Sequence, residues 1–428
     1  MGHNLLNFTY INLNKQRKAM AYFNQRFNEK STIIACITEP YLYNQKVSGI
    51  NCGSLLYDNS DSKPPRAGLV FRKNIQYMPI FEFVQSDFVA AEVELKLNGA
   101  NIKLAVASGY HDGTKNVIPS TLIKFINYCK KEHKEFIYCC DSNAHHGHWG
   151  SKKTDKRGEE ILKFISENNL TLLNKGGKST YFRVKTFNGR LTKVEENIDL
   201  TLASNFITHK IFNWKVSDDY AFSDHCYIDF NVKASKPNPN KFRNPKLTNW
   251  ENYRKLVGER LKGVNLLIRN EEQLDQSVNK FTKILIDCYH ASNKEKELCT
   301  NIQNDWWNEN LNDMKKNVRK LQRDCKSRPS DLTPYKAALN DYNKAIDMAK
   351  ANSYKKAMSD LNTIPTTSRM HKLLSKDHSN IMGTVLKQDG TYTKTEEESL
   401  RDMAKIHFPG HDVSNYPPHQ HISAWVPT

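Results

Sequence analysis

No stretch of this 428-residue chain approaches the roughly 18 consecutive apolar residues that a membrane-crossing helix needs. The amino terminus also lacks a basic-then-apolar leader, so the expectation is a protein that stays inside the cell with no membrane partner. Its nine cysteines include no Cys-x-x-Cys pair, and Cys139-Cys140 stand side by side, where a strand would send them to opposite faces. A reduced chain is the simpler account than a disulfide framework. No internal repeat is apparent. Acidic residues are the scarcer charge: 46 Asp and Glu stand against 63 Lys and Arg, a net charge of +17, and an excess of that size calls for a polyanionic partner.

What is present divides in two. Residues 1–234 alternate short apolar runs with turns and a few amphipathic helices. Val89, Ala91, Val93 and Leu95 recur every second residue as a strand with one buried face, and Ile102 to Ala107 is a neighbouring apolar run. Lys15 to Glu29, Ser120 to Glu132 and Arg157 to Asn168 read as helices, the last with an apolar stripe of Ile161, Leu162 and Ile165. Two stacked sheets with helices outside would bury such a set. Residues 235–247, with Pro237 and Pro239 among polar neighbours, read as a linker. Beyond it, residues 248–410 are mainly helical, before an irregular tail over 411–428. Trp307, Leu311, Met314, Val318, Leu321 and Cys325 form one apolar seam and Tyr335, Leu339, Tyr342, Ile346 and Ala349 a second, which predicts an antiparallel helical hairpin.

Asn12, Glu39, Tyr110, the pair Asp141 and Asn143, Asp199 and the triplet Ser223-Asp224-His225 follow one another along the first region, nearly all at predicted strand ends. Singly, each is ordinary: Asp141-Ser142-Asn143 reads equally as an Asx turn, Glu39 as a capping carboxylate, Tyr110 as a half-buried aromatic and Asp224-His225 as a surface pair. The ordered set is specific. It resembles the endonuclease/exonuclease/phosphatase superfamily. Within it, the spelling from Cys140 to His146, followed by Trp149-Gly150-Ser151, is most similar to the endonuclease of non-LTR (LINE-type) retrotransposons.

The resemblance implies an α/β fold, a four-layer α/β sandwich of two stacked mixed β-sheets flanked by helices, followed by a mainly α-helical connector. It implies phosphodiester chemistry assisted by Mg²⁺, with Mn²⁺ able to substitute, because cleaving a stable anion needs charge neutralisation, an activated water and help for the leaving oxygen. Glu39, Asn12 (with Asn14 as its rival) and Asp224 are then expected at the metal. Asp141 would deprotonate the attacking water, Asn143 and Tyr110 would hold phosphate oxygens, and Asp199 would orient His225 and keep it cationic. Asn197, Ser223, Thr180, Arg190 and His145 are expected against DNA, Arg190 at the tip of a hairpin suited to probing a groove. The commonest family pattern has proline soon after the tyrosine; here His111-Asp112-Gly113 stands instead.

Three histidines, His145, His146 and His148, could invite zinc, yet they cannot all converge without an unusual loop and no cysteine is spaced to help. Trp149 is expected to anchor that loop. In the helical region Lys315, Lys316, Arg319, Lys320, Arg323 and Lys326 form a basic stripe, either a phosphate-binding surface or a solvated helix face. Trp306-Trp307 and Phe408-Pro409-Gly410 resemble the connector between nuclease and reverse transcriptase, and the paired aspartates of a polymerase are absent after residue 235. The reading is therefore a DNA endonuclease that nicks a target strand to leave a 3′-hydroxyl primer, active in the nucleus, with element RNA and a downstream reverse transcriptase as further partners. The alternatives are an apurinic endonuclease or phosphatase of the same superfamily, or an inactive nucleic-acid-binding module.

Overall fold

The computed structural model describes residues 5–60, 63–97, 100–174, 177–187, 190–234, 241–262, 270–297, 305–327, 332–361 and short stretches between 364 and 407. The chain divides into two compact units: Met1–Arg72, Gln76–Pro237 and Ile302–Thr428 form one, Lys73–Ile75 with Asn238–Asn301 the other.

The first unit opens with β1 (Leu5–Asn12), α1 (Arg17–Glu29) and β2 (Thr32–Thr38), then the short β3 (Leu42–Tyr43) and β4 (Lys46–Val47), β5 (Ser54–Tyr57) and β6 (Ala67–Phe71). It continues through β7 (Tyr77–Gln85), β8 (Phe88–Leu97), β9 (Ala100–Tyr110), α2 (Ser120–Lys131), β10 (Glu135–Asp141), α3 (Lys156–Glu167) and β11 (Leu170–Leu172). A hairpin of β12 (Tyr181–Phe187) and β13 (Arg190–Glu196) follows, then β14 (Asp199–Ser204), α4 (Asn205–Thr208), β15 (Ile211–Val216) and β16 (Ile228–Lys233). One six-stranded mixed sheet runs β15-β16-β1-β2-β6-β5 and the other β11-β14-β10-β9-β8-β7.

Strand periodicity explains the layers. In β8 and β10, Phe88, Ala90, Phe136, Tyr138 and Cys140 face outward into a core closed by Phe125 and Ile126 of α2 and Ile161 and Ile165 of α3. Val89, Ala91, Ile137 and Cys139 alternate with them and are as deeply buried, because the other sheet covers their face. The two sheets are also bonded: Ser108 Oγ donates to Ile37 O at 2.9 Å. The expected four-layer sandwich is the observed one, with sheets in the middle and helices outside. Cys139 and Cys140 point to opposite faces as alternation requires.

On the far side of the first sheet, Ile11, Ala35 and Ile37 pack with Met20, Tyr22, Phe23 and Phe27 of α1, and this core extends to two long helices. These are α7 (Glu309–Ser327) and α8 (Leu332–Ser359), whose seams of Leu311, Val318, Cys325, Tyr335, Tyr342 and Ile346 are buried there. The residues expected as one connector over 248–410 are thus divided. The hairpin belongs with the sandwich, because its apolar seams are wider than the two helices can cover by themselves. Tyr392 does likewise, its ring 4.9 Å from that of Tyr128 on α2. The second unit holds α5 (Trp250–Leu261), α6 (Glu271–Ser292) and the paired strands β17 (Lys241–Phe242) and β18 (Lys296–Glu297). Residues 235–240 of the predicted linker and the whole tail after residue 407 lie outside the described residues, and no described helix is long and apolar enough to cross a membrane.

Candidate active site

The same period-two rule aims the chemistry. Asn12 ends β1 and Asp141 ends β10, each in step with neighbours that face the opposite sheet, so both side chains enter the open end between the sheets. Register adds the rest: Asp141 is paired with Tyr110 on β9 and with Asp199 on β14. Glu39 follows β2 with φ +44° and Asn143 follows β10 with φ +47°, left-handed turns that carry the chain away as soon as the side chain has been presented.

Contacts link these residues across the sandwich. Asn12 Nδ2 donates to Asp141 Oδ2 at 2.9 Å and to Glu39 Oε2 at 3.1 Å. His225 Nδ1 lies 2.8 Å from Asp199 Oδ2, and its Nε2 is 3.9 Å from Asp141 Oδ2. Burial alone would lower the His225 pKa, but Asp199 and then Asp141 more than offset it, raising it from 6.5 to about 9, so the imidazole is cationic. Burial pushes the Asp141 carboxyl above the usual carboxylate range, with His225 opposing the push and Asp199 adding to it. Among the described residues, Asp141, Asp199 and His225 are one buried group whose ligand atoms all lie within 4.8 Å of one another.

Tyr110 is half-buried; desolvation first, then Glu39 and Asp141, raise its hydroxyl to about 12, so it is a donor at neutral pH. The departure from the commonest family pattern after this tyrosine has a counterpart here. Asp112 accepts from Arg66 Nη1 at 2.9 Å, and the Arg66 guanidinium lies 4.6 Å over the Tyr110 ring. Asn143 Nδ2 donates to His111 O at 2.9 Å while its backbone N–H donates to Asp141 Oδ1 at 3.1 Å; the Asx turn and the site residue are thus the same tripeptide.

Asp224 is half-exposed beside Asn14 Nδ2, 3.4 Å away, and Arg183 Nε, also 3.4 Å away. Asn14 therefore bonds to Asp224 while Asn12 bonds to Glu39 and Asp141, which separates the two rival asparagines. Glu39, Asp141 and Asp224 offer only hard oxygen donors, the set a hard divalent cation takes, and the surplus of anions around one imidazolium fits such a charge.

Residues 104–229 match the family model described as Endonuclease-reverse transcriptase. Over that span, the chain is similar to the endonuclease-reverse transcriptase family. It is similar to the Retrovirus-related Pol polyprotein from type-1 retrotransposable element R1 of Bradysia coprophila, 22% identical over 292 residues that make up 63% of this chain and 28% of the polyprotein. The chain spans well under a third of that relative. Among solved structures, the endonuclease domain of TRAS1, a telomere-specific non-LTR retrotransposon, aligns at 22% identity and TM-score 0.46 over 54% of this chain and 100% of that one. The catalytic domain of APE2 from Xenopus laevis aligns at 12% identity and TM-score 0.43, over 54% and 92%.

Several residues expected against DNA make hydrogen bonds to the scaffold. Thr180 is 1% exposed, and its hydroxyl accepts from the backbone N–H of Ile198 at 3.1 Å and of Asp199 at 3.2 Å, fixing the start of β14. Asn197 is buried too, accepting from Thr180 N at 2.9 Å and donating to Gly150 O at 2.8 Å. Ser223 Oγ donates to Asn12 O at 2.7 Å and accepts from His225 N at 3.1 Å. His145 lies between two carboxylates, Nδ1 2.9 Å from Asp155 and Nε2 3.4 Å from Glu196. Asp155 also caps α3 by accepting from Gly158 N at 2.7 Å, and Gly158 has to be glycine, since a Cβ there would lie 2.0 Å from His145 O. Arg190 opens β13; its side chain lies outside the described residues.

His146 Nδ1 accepts from His148 N at 2.9 Å, so the histidine run builds a turn; buried Trp149 anchors it by donating Nε1–H to Asn197 O at 3.1 Å. Sequence reasoning missed Tyr10 and Arg66. Tyr10 is fully buried on the first sheet and donates to Asp199 Oδ1 of the second at 2.9 Å. Its place two residues before Asn12, on the same face of β1, was the available signal.

Proposed function

We infer that the chain is a metal-dependent DNA endonuclease that nicks one strand of a target duplex, with Mg²⁺ as the working ion and Mn²⁺ able to replace it. The observation that carries the reading is the continuous run of contacts Asp199–His225–Asp141–Asn12–Glu39 at the open end of the sandwich. Glu39, Asn12, Asp141 and Asp224 would hold the ion, which when bound neutralises phosphate charge and stabilises a departing oxygen.

Asp141, made more basic than a surface carboxylate, takes the proton of the attacking water. The water oxygen bonds to phosphorus as the P–O3′ bond breaks, leaving a 5′-phosphate and a 3′-hydroxyl. Cationic His225, oriented by Asp199, faces the phosphate, and Tyr110 and Asn143 supply hydrogen bonds to its oxygens. The β12–β13 hairpin, with Arg190 at its turn, is the element proposed to reach into a DNA groove. A 3′-hydroxyl can prime synthesis, so the proposed partners are target DNA, element RNA and a reverse transcriptase, met in the nucleus.

The test is relaxation of supercoiled plasmid. Open circles should form with Mg²⁺, not with EDTA, and their nicks should be extended by a DNA polymerase and sealed by a ligase. Cleavage confined to abasic sites would replace this reading with that of a repair endonuclease.

A further inference from the structure

Phe222, directly before Ser223-Asp224-His225, has φ +55°, the left-handed region that a bulky aromatic rarely adopts. Such a conformation persists only where the surroundings over-determine it. Here α1 supplies part of the surroundings, Tyr22 lying edge-on to Phe222 at 5.5 Å and Arg26 donating to Asp219 at 2.8 Å, and α7 and α8 supply the rest. Asp219 Oδ1 accepts from Arg319 Nη2 of α7. Tyr220 packs edge-on against Tyr335 of α8, ring centroids 6.4 Å apart. Phe222 packs on Tyr342 of α8 at 5.1 Å.

The loop held in this way passes straight into the site. Ser223 Oγ bonds to Asn12 O and to His225 N, and the strand beyond it is tied to β12 by Phe182 N to Asp224 O at 2.7 Å and Cys226 N to Thr180 O at 2.6 Å. A shift at Phe222 therefore moves Asp224 and His225, the second of which is bonded to Asp199.

We propose that the α7–α8 hairpin is the positioning element of the Ser223-Asp224-His225 loop, with Tyr342 as its principal positioning residue. Tyr342 is fully buried, and its hydroxyl has no hydrogen-bond partner among the described residues. The ring is the part that acts, through its contact with Phe222. The hairpin is thereby a component of the catalytic apparatus of the nuclease, reaching the reacting groups through one loop. The consequence for catalysis rests on the endonuclease reading above; the consequence for the loop does not.

The experiment compares full-length Tyr342→Ala, Tyr342→Phe and Val318→Ala, the last trimming the hairpin core without removing a ring that touches the loop. Plasmid nicking is followed well below each unfolding midpoint, together with amide hydrogen exchange over residues 219–226. Tyr342→Ala should lose roughly 100-fold in kcat with KM unchanged, the scale of a misplaced catalytic group, and the Asp224 to Cys226 amides should exchange faster. Tyr342→Phe should restore both readouts, and Val318→Ala should leave both near the parent. Parental exchange in the loop of folded Tyr342→Ala, or equal losses in Tyr342→Ala and Val318→Ala, would overturn the proposal. If no variant and no parent nicks while loop exchange still depends on the Tyr342 ring, the positioning stands and the endonuclease reading is what fails.

Discussion

At the strand ends, Glu39, Asp141 and Asp199 gather around a single imidazolium, His225; under the helical hairpin, Arg26, Lys315 and Arg319 meet Asp219, Asp229 and Glu29. In the second set every carboxylate has a cation against it, Asp219 also having the exposed Lys30 at 3.8 Å. Arg26 is 1% exposed and donates to Asp219 at 2.8 Å and Asp229 at 2.6 Å, while Lys315 lies 4.8 Å over the ring of Tyr22. Buried charges that are fully paired ask nothing further of their surroundings. The strand-end set does not balance: burial first, with Asp199 adding to it, makes Asp141 a stronger base, and the surplus of carboxylates fits a bound cation. One region buries charge to hold two layers together, the other at the site of the proposed chemistry.

The largest effect that could break this contrast lies at Asp199. Asp199→Asn removes one anion and the main partner that keeps His225 charged, so kcat for nicking should fall by roughly 10³-fold while the unfolding midpoint barely moves. Plasmid nicking beside thermal denaturation reads both; a kcat near the parent's would mean the surplus charge has no catalytic role.

A smaller effect sharpens the contrast at the same edge. His111 is buried and neutral, its Nε2 2.7 Å from Tyr138 OH; burial first, with Arg157 adding, pushes its pKa from 6.5 down to about 4. As pH falls below 6.5 the unfolded chain takes up a proton that the folded chain refuses, so stability present at neutral pH is lost between 6.5 and 4. At about pH 5 the loss amounts to about 2 kcal/mol. Urea unfolding of the parent and of His111→Gln at about pH 5 and about pH 7 should show that extra acid loss in the parent alone. Parallel losses would show that His111 is protonated in the folded state.

The two regions also differ in how far they were legible beforehand. A strand end is a local feature, and alternation tells which way Asn12 and Asp141 face, so the gathering of these residues and the sandwich around them could be read from spacing and resemblance together. Arg66 gave no such signal, because nothing near Pro65 and Ala67 announces a guanidinium that will cover Tyr110. Thr180, Asn197 and His145 bond to the scaffold around the site, which the sequence did not show, since a motif locates a residue without saying where its hydrogen bonds run. The basic stripe was legible only in part for a related reason. A helix pattern shows which face is polar and not what that face meets: Lys316, Lys320 and Arg323 are exposed, while Lys315 is buried and Arg319 is bonded to Asp219.

The most direct measurement is plasmid nicking by full-length Asp141→Asn across a Mg²⁺ titration, with plasmid binding followed in parallel. Losing the water-activating carboxylate should reduce nicking by several powers of ten at every Mg²⁺ concentration while the basic chain still binds DNA. Nicking at the parental rate would contradict the account, because no other carboxylate at this edge stands against both Asn12 and His225 in the described structure.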